Sequence, residues 1–189
     1  MNLRGRALLV LALMALLASV AVAQDEGMMN EEGQMPEMGP PKELQELAPM
    51  VGKWHYAGQY KMSPEADWVA HEAEASFEFV CGGAAMQMDM TGMMMGMEFH
   101  GMGLNTYDRE TKMWQESWLD NFGARLSMYT GTFEEGKIVM SGEDLMAGQK
   151  MYTRTTTYDI TDKEFKWMME NSMDGENWFI SMRGVYTKE

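Results

Sequence analysis

The residues best equipped for chemistry in this sequence carry sulfur. Eight methionines fall within the eighteen residues MQMDMTGMMMGMEFHGMG, Met86 to Gly103, with His100 among them and Cys81 just upstream. Thioethers select soft ions such as Cu(I). Four more, Met28, Met29, Met35 and Met38, lie in a polar segment that gives them no packing role. Spacing opposes a metal reading of the central cluster. Met86, Met88 and Met90 alternate with Gln87, Asp89 and Thr91, the period of a strand, so the three share one face as core or pocket lining. Methionine is flexible and polarisable, which suits a wall that accepts varied ligands. Soft-metal binding by Cu(I) or Ag(I) is therefore the alternative reading, carried mainly by Met28, Met29, Met35 and Met38, and no metal centre is assigned to the folded part.

The other reactive types do not converge. His55, His71 and His100 lack the short spacing that zinc ligands show. Cys81, before Gly82-Gly83, has neither a base nor an electropositive setting beside it, and reads as a small buried residue at a bend. Phosphate loops, nucleophile elbows and His-Glu-x-x-His are absent, so no catalytic residue and no cofactor is assigned. Trp118, Asp120 and Asn121 offer a stacking ring, an acceptor and an amide at a strand end. Equally, Asp-Asn is ordinary turn chemistry. Arg154 and Arg183 sit on strands, where an inward guanidinium would hold an anion; Arg183 lies opposite the apolar row Trp178, Ile180 and Met182 and is expected to point out.

The elements that must position these residues are strands. Ala73, Ala75, Phe77 and Phe79 alternate with Glu72, Glu74, Ser76 and Glu78, giving one dry face and one wet face. Similar segments at 54–61, 69–80, 84–92, 97–107, 112–119, 125–134, 137–143, 150–160, 164–172 and 177–187 predict ten strands joined by hairpins at Asp108-Arg109-Glu110-Thr111, Glu134-Glu135-Gly136, Thr161-Asp162 and Asp174-Gly175-Glu176. Consecutive antiparallel strands leave two edges exposed, and closing them into an up-and-down barrel removes both. Before them, PKELQELAPMV puts Leu44, Leu47 and Val51 at helical spacing behind a proline, which predicts a short helix ending near Pro49.

Two segments precede the barrel. Residues 1–23 have a basic start at Arg4 and Arg6, an apolar run and Ala21-Val22-Ala23, the pattern of a cleaved secretory signal. Residues 24–41 combine carboxylates, glycines and prolines without aromatics, and read as a disordered acidic leader. The barrel domain is expected over 42–189. Removing 1–23 leaves 13 basic residues against 29 acidic, a net charge of −16. Such a surface repels nucleic acid and anionic lipid, so neither is an expected partner, and no stable membrane anchor is expected. One cysteine cannot form an intramolecular disulfide, leaving stability to an ordinary core.

Two pieces of the chain resemble known proteins. Leu47 to Trp54, LAPMVGKW, is similar to the opening of calycin barrels, where a short helix leads into Gly-x-Trp and the tryptophan closes the barrel floor. Met94 to Asp108, MMGMEFHGMGLNTYD, with Glu116 to Glu134, ESWLDNFGARLSMYTGTFE, resembles the bacterial domain-of-unknown-function family 1579 (DUF1579). Met94, Met95, Gly96, Met97, Phe99, Gly101, Gly103, Tyr107, Asp108, Trp118, Asp120 and Asn121 stand at its motif positions, while Glu98 and Thr106 replace its usual proline and glycine. The resemblance implies a calycin-like (lipocalin-like) barrel and brings no activity or substrate with it.

The reading is an all-β, up-and-down antiparallel barrel of about ten strands behind a short helix, exported to the periplasm or beyond. Its function is expected to be binding rather than catalysis. The partner would be a small apolar or amphipathic molecule in an interior lined by methionine and aromatic side chains. Trp54, Phe77, Met86, Met88, Met90 and Met97 are candidate contacts, as are Phe99, Tyr107, Trp118, Asp120 and Asn121.

Overall fold

The structure is a computed structural model and describes residues 37–146 and 148–189. The predicted signal segment and most of the predicted leader, with Met28, Met29 and Met35, lie outside the described residues; Met38 is exposed. Gly39–Glu189 forms one compact unit.

A 3₁₀ helix, Lys42–Met50, leads into ten strands: β1 Gly52–Tyr60, β2 Val69–Val80, β3 Ala85–Met94, β4 Met97–Asp108, β5 Met113–Asp120, β6 Ser127–Glu134, β7 Lys137–Met146, β8 Gln149–Tyr158, β9 Glu164–Ser172 and β10 Phe179–Lys188. Each pairs antiparallel with its neighbours in sequence, and β1 closes the barrel on β10 through pairs such as Tyr56 with Tyr186. No sheet edge is left to recruit another chain. The helix repeats every three residues: Leu44, Leu47 and Met50 are its buried positions, and Pro49 is accommodated inside it. That period fits a 3₁₀ helix, in which residues i and i+3 eclipse.

Two hairpins are set by local chemistry. Met95-Gly96 and Glu135-Gly136 both have positive φ at each residue, the two-residue turn whose twist matches that of the flanking strands. Cys81 also has positive φ, and it is exposed at the β2–β3 bend, not buried as expected. Cys81 opens the short 3₁₀ turn Cys81–Gly83 between the two strands, outside the alternation that buries every second strand residue.

Chain direction gives the barrel two ends. At one, the helix inserts Leu44 and Leu47, and Trp54 is wholly buried with its indole N–H donating to the Met50 carbonyl at 2.6 Å. Trp54 meets Phe165 edge-on at 4.8 Å between ring centres, and Phe165 stacks on Tyr186 at 4.4 Å. This end is closed by packing. The other end is formed by the β1–β2, β3–β4, β5–β6, β7–β8 and β9–β10 connections.

Candidate functional site

Between the ends lies a cavity of about 230 Å³, lined by residues from the helix and all ten strands. Its wall is mainly apolar. Met86, Met88, Met90 and Met94 come from β3, Phe77 from β2, Phe99 from β4 and Trp118 from β5, with Phe165, Trp167 and Met169 from β9 across from them. Alternation delivers these side chains because β3 and β5 each turn every second residue inward. Space is kept open for large rings by glycine on the neighbouring strand. Any side chain at Gly101 would collide with the indole of Trp118, and one at Gly184 with the ring of Tyr56.

Of the candidate residues, the cavity wall includes Phe77, Met86, Met88, Met90, Phe99, Trp118 and Asp120. Four stand elsewhere. Trp54 seals the helix end, and Tyr107 packs on Trp114 at 5.7 Å between ring centres. Met97 is 53% exposed at the rim, where its partner Met94 reaches the cavity in its place. Asn121 accepts from the His100 N–H at 2.8 Å and donates to the Glu98 carbonyl at 2.9 Å, extending the β4–β5 ladder by a side chain. Asp120 lines the cavity while being fully engaged by its turn: it accepts from the Trp118 indole at 2.9 Å and from the N–H groups of Phe122 and Gly123 at 2.9 and 2.7 Å. Its Asx-turn role is thus observed. Both arginines face outward: Arg154 pairs with Glu170 at 2.8 Å and covers Trp178, and Arg183 covers Trp68.

Polar groups inside the cavity escaped the reading of the sequence. Glu116 lies on β5 between Trp114 and Trp118, with Asn105 as its partner across β4 and Tyr129 across β6. It makes no hydrogen bond or ion pair with any described residue, and burial pushes its carboxyl up to about 7. The surface it keeps faces the cavity. Nearby, the Tyr56 hydroxyl is buried without a hydrogen-bond partner among the described residues. Burial, then the charges of Tyr56 and Glu116, push the Tyr186 phenol well up. His71, also on the wall, sits with Nδ1 3.1 Å from the Met93 carbonyl, so Nδ1 carries the proton and Nε2 remains an acceptor. Burial lowers its pKa and keeps the ring neutral. Parity could have found both: Glu116 shares a face with Trp114 and Trp118, and His71 with Ala73, Ala75 and Phe77.

A second polar group sits toward the open end. Asp144 on β7 accepts from Arg125 at 2.8 Å and Ser127 at 2.5 Å on one oxygen, and from Tyr129 at 2.6 Å and Thr153 at 3.1 Å on the other. Thr153 also lies 3.2 Å from Asn171 Oδ1, which shares its single proton, and Asn171 donates to Ser181 at 2.9 Å. Burial pushes Asp144 up, but the donors outweigh it and hold the carboxyl below its usual range. Among the described residues no group of three or more His, Cys, Asp or Glu is placed to hold a metal ion.

Fold and cavity together define a lipocalin-like antiparallel barrel with a hollow, apolar interior. The chain belongs to the family described as protein of unknown function (DUF1579), whose model matches residues 39–188. Two solved structures share the fold. Rv2717c from M. tuberculosis superposes with a TM-score of 0.54 at 14% identity, over 79% of this chain and 99% of its own. The S-type phycobiliprotein lyase CPES from Guillardia theta gives 0.52 at 10% identity, over 79% and 98%. No curated protein matches the sequence.

Proposed function

We propose that this protein is an exported, non-catalytic carrier of a small apolar or amphipathic molecule held inside the barrel. The observation that carries the reading is the cavity of about 230 Å³ with a methionine and aromatic wall. Protein interiors are ordinarily packed to crystal density, so a void of this size in a barrel closed by packing at one end is a site for a guest. The volume sits below the usual range of drug-sized pockets, which restricts the guest to a small molecule. Export rests on the signal-like residues 1–23.

Native mass spectrometry of protein purified from its own host tests the reading. A discrete bound mass released by denaturation is expected; barrels that are always empty would sink it. Fractionation of the same cells tests export, with the protein expected outside the cytoplasm and shortened by residues 1–23.

The β3–β4 turn supports a second reading, since Met93, Met95 and Met97 are all more than half exposed there. With Met28, Met29, Met35 and Met38 they would present thioethers to Cu(I) or Ag(I). Cu(I) titration of the full chain against a variant with these seven methionines changed to leucine decides: equal binding ends that reading.

A further inference from the structure

Resting on the carrier reading, we infer that the cavity selects amphipathic molecules with a protonated amine head, held by the Glu116 carboxylate with Asn105 beside it. The sign of the cavity comes first. Among the described residues its wall contains two carboxylates, Glu116 and Asp120, and neither lysine nor arginine. Asp120 is committed to the donors of its own turn. Glu116 has no donor among the described residues, although it lies on the cavity wall between Trp114 and Trp118 and opposite Tyr129.

A carboxylate turned into an apolar cavity without a protein donor is costly, and a fold built only for stability would carry an apolar residue or a donor there. The same barrel shows how such a group is satisfied, because Asp144 receives four donors within a few residues of the rim. Glu116 lacks them, which leaves its missing partner to a guest. An ammonium head supplies the opposite charge and several donors at once. Tyr129 stands opposite Glu116 across the β5–β6 ladder, and Tyr129 and Tyr186 both lie close enough to Glu116 to couple with it electrostatically, so aromatic rings flank the head position. The chain as a whole, at −14, also favours cations.

Octylamine, octanol and octanoate share a chain and differ in the head, so their affinities for the full-length protein, measured by calorimetry at pH 8, isolate the effect. Octylamine should bind on the order of tenfold to a hundredfold more tightly than octanol, as expected when both partners of the hydrogen bond are charged and not the carboxylate alone. Octanoate should bind most weakly. Glu116→Gln should remove the advantage of octylamine over octanol, bringing the two affinities together. Should that variant fail to fold, wild-type pH dependence carries the test. Octylamine affinity should rise roughly tenfold per unit below pH 7 and level off above it, as Glu116 loses its proton. Burial lowers the His71 pKa and raises those of the Tyr56, Tyr129 and Tyr186 phenols, and the donors around Asp144 hold its carboxyl below the usual range, so Glu116 is the group whose raised pKa centres on this window. Equal affinity for octylamine and octanol, or tightest binding of octanoate, would overturn the amine assignment while leaving the carrier reading intact. Binding of none of the three would sink both.

Discussion

Two carboxylates point into this barrel from neighbouring regions, and they have opposite surroundings. Asp144 sits near the open end with a guanidinium and three hydroxyls around it, and its charge is stabilised. Glu116 sits deeper, against the apolar cavity, with no donor among the described residues, and its charge is penalised. Tyr129 stands between them, lining the cavity with its ring and giving its proton to Asp144. The difference separates structure from function. A buried polar group that the protein satisfies holds the fold together, and one that it leaves unsatisfied is available to something that arrives later.

The comparison can be broken most forcefully at Asp144. Asp144→Ala takes the acceptor from the Tyr129 hydroxyl and from the Arg125 guanidinium, and unfolding by denaturant should show a loss of about 3–5 kcal/mol, the usual result of removing one member of a buried charged network. Its pH dependence has a definite sign. Because the folded pKa is depressed, the stabilisation is complete above the usual carboxylate range and fades as pH falls through the folded value.

Glu116 should behave in the opposite sense. Its folded pKa is raised to about 7, so the folded state holds its proton more firmly than the unfolded state, and stability declines as pH rises from about 4.5 to 7. Replacing it by glutamine should stabilise the empty barrel by about 3 kcal/mol at pH 8, the size of that shift expressed as free energy, and by almost nothing at pH 4. Melting curves of Glu116→Gln and wild type at the two pH values check it. A loss of stability at pH 8 would mean that the carboxylate already has a partner.

A smaller effect is expected where ring and backbone meet. Gly101→Ala has to displace the Trp118 indole from its place against the strand, and overpacking of this kind costs about 1–3 kcal/mol. It should also move the tryptophan emission of the cavity wall. The smallest change belongs to the outer face. Arg154→Met removes a half-exposed partner of Glu170, and chemical denaturation should detect less than about 1 kcal/mol. These four substitutions rank carboxylate and packing sites by enclosure, from a satisfied interior charge to a surface pair.

Much of the fold could be read along the chain, since a period of two shows directly which face of a strand is dry. Ala73, Ala75, Phe77 and Phe79 are the clearest case, and Met86, Met88 and Met90 reach the cavity wall by the same rule. Where the rule failed, three-dimensional position was the cause. Met97 has the inward phase of Phe99, but it stands beyond the last layer of the barrel and remains exposed. Trp178 has the phase of Met182, but a bulge between Ile180 and Met182 breaks the register, and Trp178 packs outside under Arg154. Glu116 was hidden for a different reason. In a chain with 29 acidic residues, no single carboxylate attracts notice until its neighbours in space are known.

Residue order alone determined the local matters: alternation, glycine turns, a short helix before the strands, and a family motif from Met94 to Asn121. Each depends on residues a few positions apart, over which backbone geometry is nearly fixed. Closure of β1 on β10, the end sealed by Trp54, and the contrasting surroundings of Glu116 and Asp144 were decided only by the tertiary structure. They depend on side chains far apart in sequence, and whether a charge finds a donor is a property of that assembled interior.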